Sequence, residues 1–279
     1  MLDKLARAEA EHAAGQVINA CGFTAFPICP FEIANKHDIH VEAKQSSKPG
    51  VSGFLMRVGN VFGIRYAQHI ANEGYIRFTV AHELGHYFLP GHPEKLFPDG
   101  DGIHESKSGF ISGDPLERQA DCFAGALLMP ATLFSKAVDS AGTGFSAIEK
   151  LAKQCKTSIT STAIRFTQFT DEAVAVIVSN GQQIDYCFMS DRIRDLDGIT
   201  WIKKGDRLPS GITLDFNGDS SNIEEARQKE GTCFLNDWFE GAPQVEVNED
   251  VVGLGSYGKT LTVLFTDEEM ENDDEDEDD

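Results

Sequence analysis

The residues best suited to carry chemistry are His82 and His86, with Glu83 next to the first of them. Residues four apart lie on one face of a helix, so both imidazoles could bind one metal ion. The Glu83 carboxylate would then lie beside a water molecule at the remaining position of the metal. This spacing predicts a hydrolytic zinc site of the kind that zinc peptidases use. The pattern is only five residues long, so its surroundings must support it.

A helix is predicted around this pattern. Apolar residues recur at three- and four-residue steps from Phe78 to Phe88, as in an amphipathic helix packed on a core. Asn72-Glu73-Gly74 supplies cap and turn chemistry before it, and Pro90-Gly91 ends it. Both histidines are therefore expected on rigid backbone. The alternative is a solvent-facing helix that carries these residues by chance.

Two residues could supply a third ligand, Glu117 and His92. His92 lies six residues after His86, as in metzincins, but Leu89 occupies the position where that class needs a glycine for a sharp turn. Glu117 begins a second predicted helix and shares one of its faces with Asp121. We therefore prefer Glu117, keep His92 as the alternative third ligand, and expect Asp121 to accept a hydrogen bond from a ligand histidine.

Glu117 and His104 also have ordinary alternative roles. Asp114-Pro115-Leu116-Glu117 matches an N-cap, a proline at the first helical position and a capping-box glutamate. Metal ligation is preferred because the apolar stripe that follows must pack, and a carboxylate bordering a packed face needs a charged partner. His104, in the polar segment between the helices, is a candidate for stabilising a developing oxyanion or else an ordinary loop histidine.

Three stretches together resemble the ImmA/IrrE-type metallopeptidases, a family related to the thermolysin-like gluzincins. These stretches are Phe78–His86, Glu117–Ala124 and Leu127–Pro130. The resemblance covers roughly residues 15 to 170, and residues 171–279 match only weakly. It implies a zincin-like metallopeptidase domain and, as physiological target, a helix-turn-helix repressor.

The resemblance also implies roles for individual residues. His82, His86 and Glu117 would hold the metal, and Glu83 would be the general base. The expected cofactor is one Zn²⁺ ion, with Mn²⁺ or another divalent ion as alternatives. With two neutral imidazoles and one carboxylate, zinc keeps a positive charge and lowers the pKa of a bound water to about 7. The main alternative function is a metal-stabilised sensor or binding module that does not cleave.

We predict an α+β protein of three segments. Residues 1–170 form the metallopeptidase domain, including a helix-turn-helix-like helical pair near 145–169; residues 171–266 form a smaller β-rich domain; residues 267–279 form a disordered acidic tail. A hairpin is predicted over residues 51–64. Either one of its strands is a sheet edge that pairs with substrate backbone, or the hairpin is structural only. In the β-rich domain, Asn180-Gly181 predicts a tight hairpin turn.

Two patterns suggest nucleotide or DNA binding and are set aside. Gly253–Thr260 satisfies the P-loop and dinucleotide glycine patterns, but the β-branched, apolar segment 261–266 follows where a helix would have to begin. We therefore expect the turn of a hairpin. The helical pair near 145–169 carries only Arg165 as a DNA contact on its second helix, and the net charge of −21 opposes direct nucleic acid binding.

Composition predicts a cytoplasmic protein without a membrane segment. No apolar run approaches the ~20 residues that a membrane span requires, and the first residues lack the apolar core of a secretory signal. The six cysteines are scattered and include no closely spaced pair, which favours reduced thiols over a disulfide framework. The expected partner is a protein substrate; oligomeric state is not predicted.

Overall fold

The computed structural model describes residues 4–45, 50–68, 72–107 and 113–266. The predicted acidic tail, residues 267–279, lies outside these ranges. The described part of the chain divides into two compact units, one within residues 4–136 and 151–161, the other within residues 137–150 and 162–266. The predicted domain boundary after residue 170 stays a prediction.

The fold is mixed, with a helical part and a separate β-sheet region, as the α+β prediction requires. The first unit contains helices α1 (Lys4–Cys21), α2 (Pro30–Lys36), α3 (Glu73–Phe88), α4 (His92–Leu96) and α5 (Pro115–Leu128). Helices α6 (Ala131–Asp139), α7 (Gly144–Cys155) and α8 (Ile159–Phe166) contribute residues to both units. The helical pair near 145–169 is thus present as α7 and α8, whereas α1 was not predicted.

The first unit also contains a four-stranded sheet. Its strands are β1 (His40–Lys44), β2 (Val51–Val58), β3 (Val61–Ala67) and β4 (Gly102–Lys107), in the order β1-β3-β2-β4. The predicted hairpin is confirmed, because β2 and β3 pair antiparallel with Val58 opposite Val61. The expectation that one hairpin strand is an edge was wrong, because β1 and β4 flank both strands.

The sheet of the first unit packs on α3 through β2 and β3. Leu55 of β2 and Ile64 of β3 lie opposite each other and are fully buried. Side chains alternate between the faces of a strand, so Gly53 shares the face of Leu55. This face supports the helix that carries the predicted metal ligands.

The second unit is a five-stranded antiparallel sheet with short helices around it. Its strands are β5 (Ala173–Asn180), β6 (Gln183–Met189), β7 (Gln228–Phe234), β8 (Glu246–Gly253) and β9 (Thr260–Thr266), in the order β6-β5-β9-β8-β7. The helices are α9 (Asp191–Arg194), α10 (Ile212–Asn217), α11 (Ser220–Glu224) and α12 (Leu235–Trp238). The predicted turn after β5 is shifted by one residue, because Asn180 still pairs with Gln183.

The glycine-rich segment Gly253–Thr260 joins β8 to β9, which pair antiparallel from Gly253 opposite Thr260. Only a single 3-10 turn, Gly255–Tyr257, lies between them. The predicted hairpin is confirmed. Among the described residues, no single helix has the length and apolarity needed to cross a membrane; α5 and α6, bent by 59° relative to each other, meet that criterion only as a pair. None of the six cysteines, all of which lie in the described ranges, forms a disulfide.

Candidate metal centre

Helix α3 carries the two histidines, and its neighbouring residues define both of its ends. The Asn72 side chain accepts a hydrogen bond from the Tyr75 amide at the N-terminus. The helix ends at Phe88, and Leu89 takes an extended backbone. All residues from 79 to 86 are buried, so the alternative of a solvent-facing helix is wrong. The histidines are fixed within the core of the first unit.

Helix α5 brings Glu117 to the histidines. The Asp114 side chain caps it by accepting a hydrogen bond from the Leu116 amide. The two helices approach closely at Gly85, where a Cβ would lie 3.2 Å from both the Cα and the carbonyl oxygen of Ala120. A larger residue there would push the helices apart. The glycine therefore allows groups on the two helices to meet.

The ligand atoms of His82, His86 and Glu117 form one compact group. Nε2 of His86 lies 3.1 Å from Nε2 of His82 and 3.3 Å from Oε1 of Glu117. Nε2 of His82 lies 3.4 Å from Oε2 of Glu117. Donor atoms bound to one tetrahedral zinc at about 2.0–2.1 Å would be separated by about 3.3 Å. The three side chains therefore fit a single ion of that size.

Asp121 lies behind the first histidine, where a supporting residue was predicted. Its Oδ1 is 2.8 Å from Nδ1 of His82, on the ring edge opposite the ligand nitrogen. A carboxylate accepts from an imidazole N–H, so this contact favours the tautomer with the Nε2 lone pair toward Glu117. Asp121 and Glu117 are one helical turn apart on α5, which is why one helix provides both contacts.

Comparisons with known proteins point to the same class of protein. Residues 34–167 match the family model of the IrrE N-terminal-like domain. A stretch of 102 residues is 30% identical to the radiation response metalloprotease IrrE of Deinococcus radiodurans. Both matches support an ImmA/IrrE-type metallopeptidase domain in this chain. The stretch covers 37% of this chain and 30% of the length of that relative.

A solved structure extends the likeness to the whole fold. The chain is similar to a Mycobacterium tuberculosis transcriptional regulator with a TM-score of 0.57, over 95% of this chain and 82% of that chain. Sequence identity is 13%, so this likeness concerns the fold alone. The family implies a divalent metal, usually zinc, and the group of His82, His86 and Glu117 suits one.

Glu83, the residue that the family resemblance implies as general base, is fully buried. Neither of its carboxylate oxygens has a hydrogen-bond partner among the described residues. A Cβ on Gly53 would overlap Oε1 of Glu83 and lie 2.7 Å from Cγ2 of Thr79. Glycine at this position of β2 therefore leaves the space that the carboxylate occupies. Gly53 has a role at the site that spacing in the sequence does not indicate.

The electrostatics of this family site favour a positive charge between the acids. Burial lowers the pKa of His82, but its hydrogen bonds with Asp121 and Glu117 outweigh burial and raise the pKa well above the usual value. Burial raises the pKa of Glu117, but hydrogen bonds from the surrounding histidines bring it far below its usual range. Burial lowers the pKa of His86 to about 3. One cation among these acids is thus stabilised, as a metal would be.

Burial also raises the pKa of Glu83 to about 6, and the charge of His82 partly opposes this increase. A carboxyl group with a pKa near 6 can both accept and release a proton at neutral pH. Geometry and protonation therefore suit Glu83 to proton transfer beside the metal ligands.

His104 lies on strand β4, not in a loop as predicted. Its Nε2 is 2.9 Å from Oε1 of Glu117, and its ring centroid is 4.7 Å from that of His86. Strand β4 was not predicted because its sequence contains only one large apolar residue, Ile103, and therefore shows no alternating pattern. In the structure Ile103 is exposed. His104 therefore borders the donor group, within reach of Glu117.

His92, the alternative third ligand, lies outside the donor group that the structure forms. It is the first residue of α4 and is 1% exposed. Its Nδ1 is 3.0 Å from Nδ1 of His86, so it contacts the ring edge that faces away from Glu117. Leu89 and Pro90 follow the end of α3, and Gly91, with a left-handed backbone at φ 78°, is the single residue between Pro90 and His92.

Proposed function

We propose that the chain is a cytoplasmic zinc-dependent endopeptidase that hydrolyses a peptide bond in a protein substrate. Similarity of residues 34–167 to the IrrE N-terminal-like domain, and of a 102-residue stretch to a metalloprotease, supports the reaction class. The observation that carries the proposal is the convergence of His82, His86 and Glu117 on one point, with the unpartnered carboxylate of Glu83 beside it. Mn²⁺ or another divalent ion could replace zinc in the same ligands.

The protein groups around the ligands can carry the proton transfers of hydrolysis. When bound, a divalent metal supplies Lewis acidity toward the scissile carbonyl and an attacking water. Glu83 accepts a proton from that water as the new C–O bond forms. It then donates the proton to the leaving amine nitrogen as the C–N bond breaks. The raised pKa of Glu83, about 6, suits both steps.

Strand β4 is the best candidate for binding the substrate backbone. It is an outer strand of the sheet and carries His104, which contacts Glu117. An extended peptide added to such a strand would gain main-chain hydrogen bonds with little demand on its sequence. His104 would then be close enough to donate a hydrogen bond to a developing oxyanion.

The proposed substrate is a helix-turn-helix transcriptional repressor, so that cleavage would regulate transcription. This choice rests on the family resemblance. The formal charge of −21 opposes direct binding of the chain to nucleic acid and favours recognition through the protein.

One observation favours a second candidate function, a metal-stabilised module that does not cleave. His104 is 2.9 Å from Glu117 and could serve as a fourth protein ligand. Structural zinc sites usually have four protein ligands, whereas catalytic sites keep one position for water. The two functions therefore differ in whether His104 binds the metal.

Incubation with candidate repressors tests the proposal. Purified zinc-loaded chain is mixed with helix-turn-helix repressors, and fragments are identified by intact mass. We expect cleavage by the wild type, loss of cleavage with a chelator or in His82→Ala, and zinc binding without cleavage in Glu83→Gln. Glu94→Gln, at an exposed glutamate of α4, is the matched control and should cleave normally. Cleavage by Glu83→Gln at the wild-type rate would contradict the proposal.

A further inference from the structure

A line of hydrogen bonds runs from His86 away from the metal ligands to the N-terminal helix. Nδ1 of His86 is 3.0 Å from Nδ1 of His92, and Nε2 of His92 is 3.1 Å from Oε1 of Gln119. Nε2 of Gln119 lies 3.1 Å from the carbonyl oxygen of Ala6 and 3.2 Å from Oε2 of Glu9. Ala6 and Glu9 are on α1, Gln119 is on α5 and His92 begins α4.

The hydrogen bond at the α1 end of this line determines which group donates and which accepts in each of the other hydrogen bonds. A backbone carbonyl can only accept a hydrogen bond, so Ala6 must face the NH₂ group of Gln119. The amide oxygen of Gln119 then faces His92 and must receive a proton from Nε2 of that ring. A neutral His92 with hydrogen on Nε2 has its lone pair on Nδ1. It can therefore only accept from His86, which must carry its hydrogen on Nδ1.

The direction of these hydrogen bonds determines which nitrogen of His86 can bind a metal. A neutral His86 with hydrogen on Nδ1 has a lone pair on Nε2, the nitrogen that lies 3.3 Å from Oε1 of Glu117. If the hydrogen bond between Gln119 and His92, or the one between His92 and His86, ran in the opposite direction, Nε2 of a neutral His86 would carry the hydrogen. That nitrogen could then not bind a metal. The amide of Gln119 and the ring of His92 together decide which nitrogen of His86 is the ligand.

We propose that His92 and Gln119 are positioning residues that hold His86 in its metal-binding tautomer, with the backbone of α1 as the anchor. This inference rests on the proposed function in taking His86 as a metal ligand. The anchor precedes residue 34, where the match to the family model begins. The metal centre of this chain is thereby completed by a helix outside the matched segment.

The two ligand histidines are positioned by different chemistry. His82 faces the charged carboxylate of Asp121 at 2.8 Å, whereas His86 faces the buried neutral ring of His92. A neutral acceptor fixes the tautomer without adding a negative charge to a site that already holds Glu83 and Glu117. The arrangement therefore orients both rings and limits the repulsion between buried carboxylates.

Zinc affinity, measured by competition with a chromophoric chelator, tests the proposal without any substrate. His92→Phe removes the acceptor, and we expect about 10–100-fold weaker zinc binding, the usual effect of losing an outer partner. Gln119→Leu leaves the His92 ring in place without its anchor and should give a smaller loss. His92→Asn puts an amide oxygen near the former Nδ1 and should recover part of the affinity.

The chain provides a matched control for these variants. His12 and Gln16 also form a histidine–glutamine hydrogen bond, 2.9 Å long, but on an exposed part of α1. His12→Phe and Gln16→Leu should leave zinc affinity unchanged. Far-ultraviolet circular dichroism and melting temperature identify any variant that fails to fold; Gln119→Leu, at a partly exposed position, is the variant to interpret if His92→Phe does not fold.

Nitrogen-15 NMR of the imidazole rings in metal-free protein gives a readout that a purely structural role would not change. We expect hydrogen on Nε2 of His92 and on Nδ1 of His86 in the wild type, and loss of the single His92 tautomer in Gln119→Leu. Hydrogen on Nδ1 of His92, or zinc affinity in His92→Phe equal to that of the wild type, would overturn the inference. A wild type that binds zinc poorly would instead contradict the proposed function.

Discussion

Among the described residues, each unit buries one glutamate almost completely, and the two differ in their hydrogen bonds. Glu249 of β8, 1% exposed, accepts hydrogen bonds from the Thr213 amide at 2.9 Å and the Thr213 hydroxyl at 2.6 Å. Glu83 of α3 is fully buried, and neither of its oxygens has a partner among the described residues. Burying a carboxylate is costly unless it is hydrogen-bonded or paired.

The difference separates a structural carboxylate from a reactive one. Glu249 ties α10 to the sheet, since Thr213 is on α10 and its hydroxyl also contacts that of Thr262 on β9 at 2.8 Å. Glu83 makes no hydrogen bond that links two elements, and it lies next to the metal ligands. An unsatisfied buried group is retained where function requires it. The glutamate without partners is therefore the one available for proton transfer.

The largest expected effect is the loss of catalysis in Glu83→Gln. A general base contributes about 10²–10⁴-fold to a rate, so cleavage should fall by at least about 100-fold. Glutamine has nearly the same shape and gives up no hydrogen bond, so zinc content and melting temperature should stay at wild-type values. Cleavage assays and metal analysis on the same preparation check this. A large drop in melting temperature would mean that Glu83 is structural like Glu249.

Gly53→Ala should reduce cleavage, by displacing the Glu83 carboxylate, without reducing zinc affinity. The new Cβ would overlap Oε1 of Glu83, so the carboxylate must move away from its present position. We expect cleavage to fall by about 10–100-fold, since small displacements of a catalytic group are costly, while zinc affinity stays within about threefold. Gly15→Ala, on α1 with nothing near its Cβ and no left-handed backbone, controls for replacing a glycine by alanine. Equal losses of cleavage in both variants would argue against the placement.

The same substitution at the two glutamates should affect stability differently. Glu249→Leu leaves the buried Thr213 amide without its acceptor, which costs about 1–3 kcal/mol; the Thr213 hydroxyl keeps its contact with Thr262. Glu83→Leu removes a buried carboxyl that makes no hydrogen bond, so metal-free protein should lose no stability. Both tryptophans, Trp201 and Trp238, belong to the second unit, so their fluorescence during urea unfolding isolates the effect of Glu249→Leu. Similar shifts in both variants would contradict the comparison.

The smallest expected effect is a pH dependence in the second unit. Burial, with the charges of Glu230 and Glu149, raises the pKa of Asp250 to about 6. A raised pKa in the folded state means that the contribution to stability is full below about pH 4 and is lost as pH rises through 6. Asp250 is partly exposed, so we expect at most about 1 kcal/mol after solvent screening. Asp250→Asn should lack this decline between about pH 4 and pH 6 in tryptophan-monitored unfolding, and an unchanged decline would contradict the assignment.

The sequence predicted the elements whose patterns are strong. Helix α3 and the hairpin of β2 and β3 combine regular apolar spacing with clear end signals, and both are present. Helix α1 was missed because the residues that it buries include only Val17 and Ile18 as large apolar groups, beside Ala10 and Ala14. Such small side chains give a weak periodic signal.

At the candidate site, the sequence predicted the residues that are spaced along one helix better than those that come together from different elements. The positions of His82 and His86 follow from helical geometry alone. The placement of His104 depends on a strand that has no alternating pattern, and the placement of His92 depends on the turn at Gly91. The anchor on α1 is more than 100 residues from Gln119 in sequence, so no local pattern could indicate it.

A crystal structure of the zinc-loaded chain with anomalous data at the zinc edge would show directly which residues bind the metal. We expect one strong peak within about 2.0–2.3 Å of Nε2 of His82, Nε2 of His86 and the Glu117 carboxylate, with a non-protein fourth ligand. A peak bonded to His104 as the fourth ligand, or no peak at this position in zinc-loaded protein, would contradict this expectation.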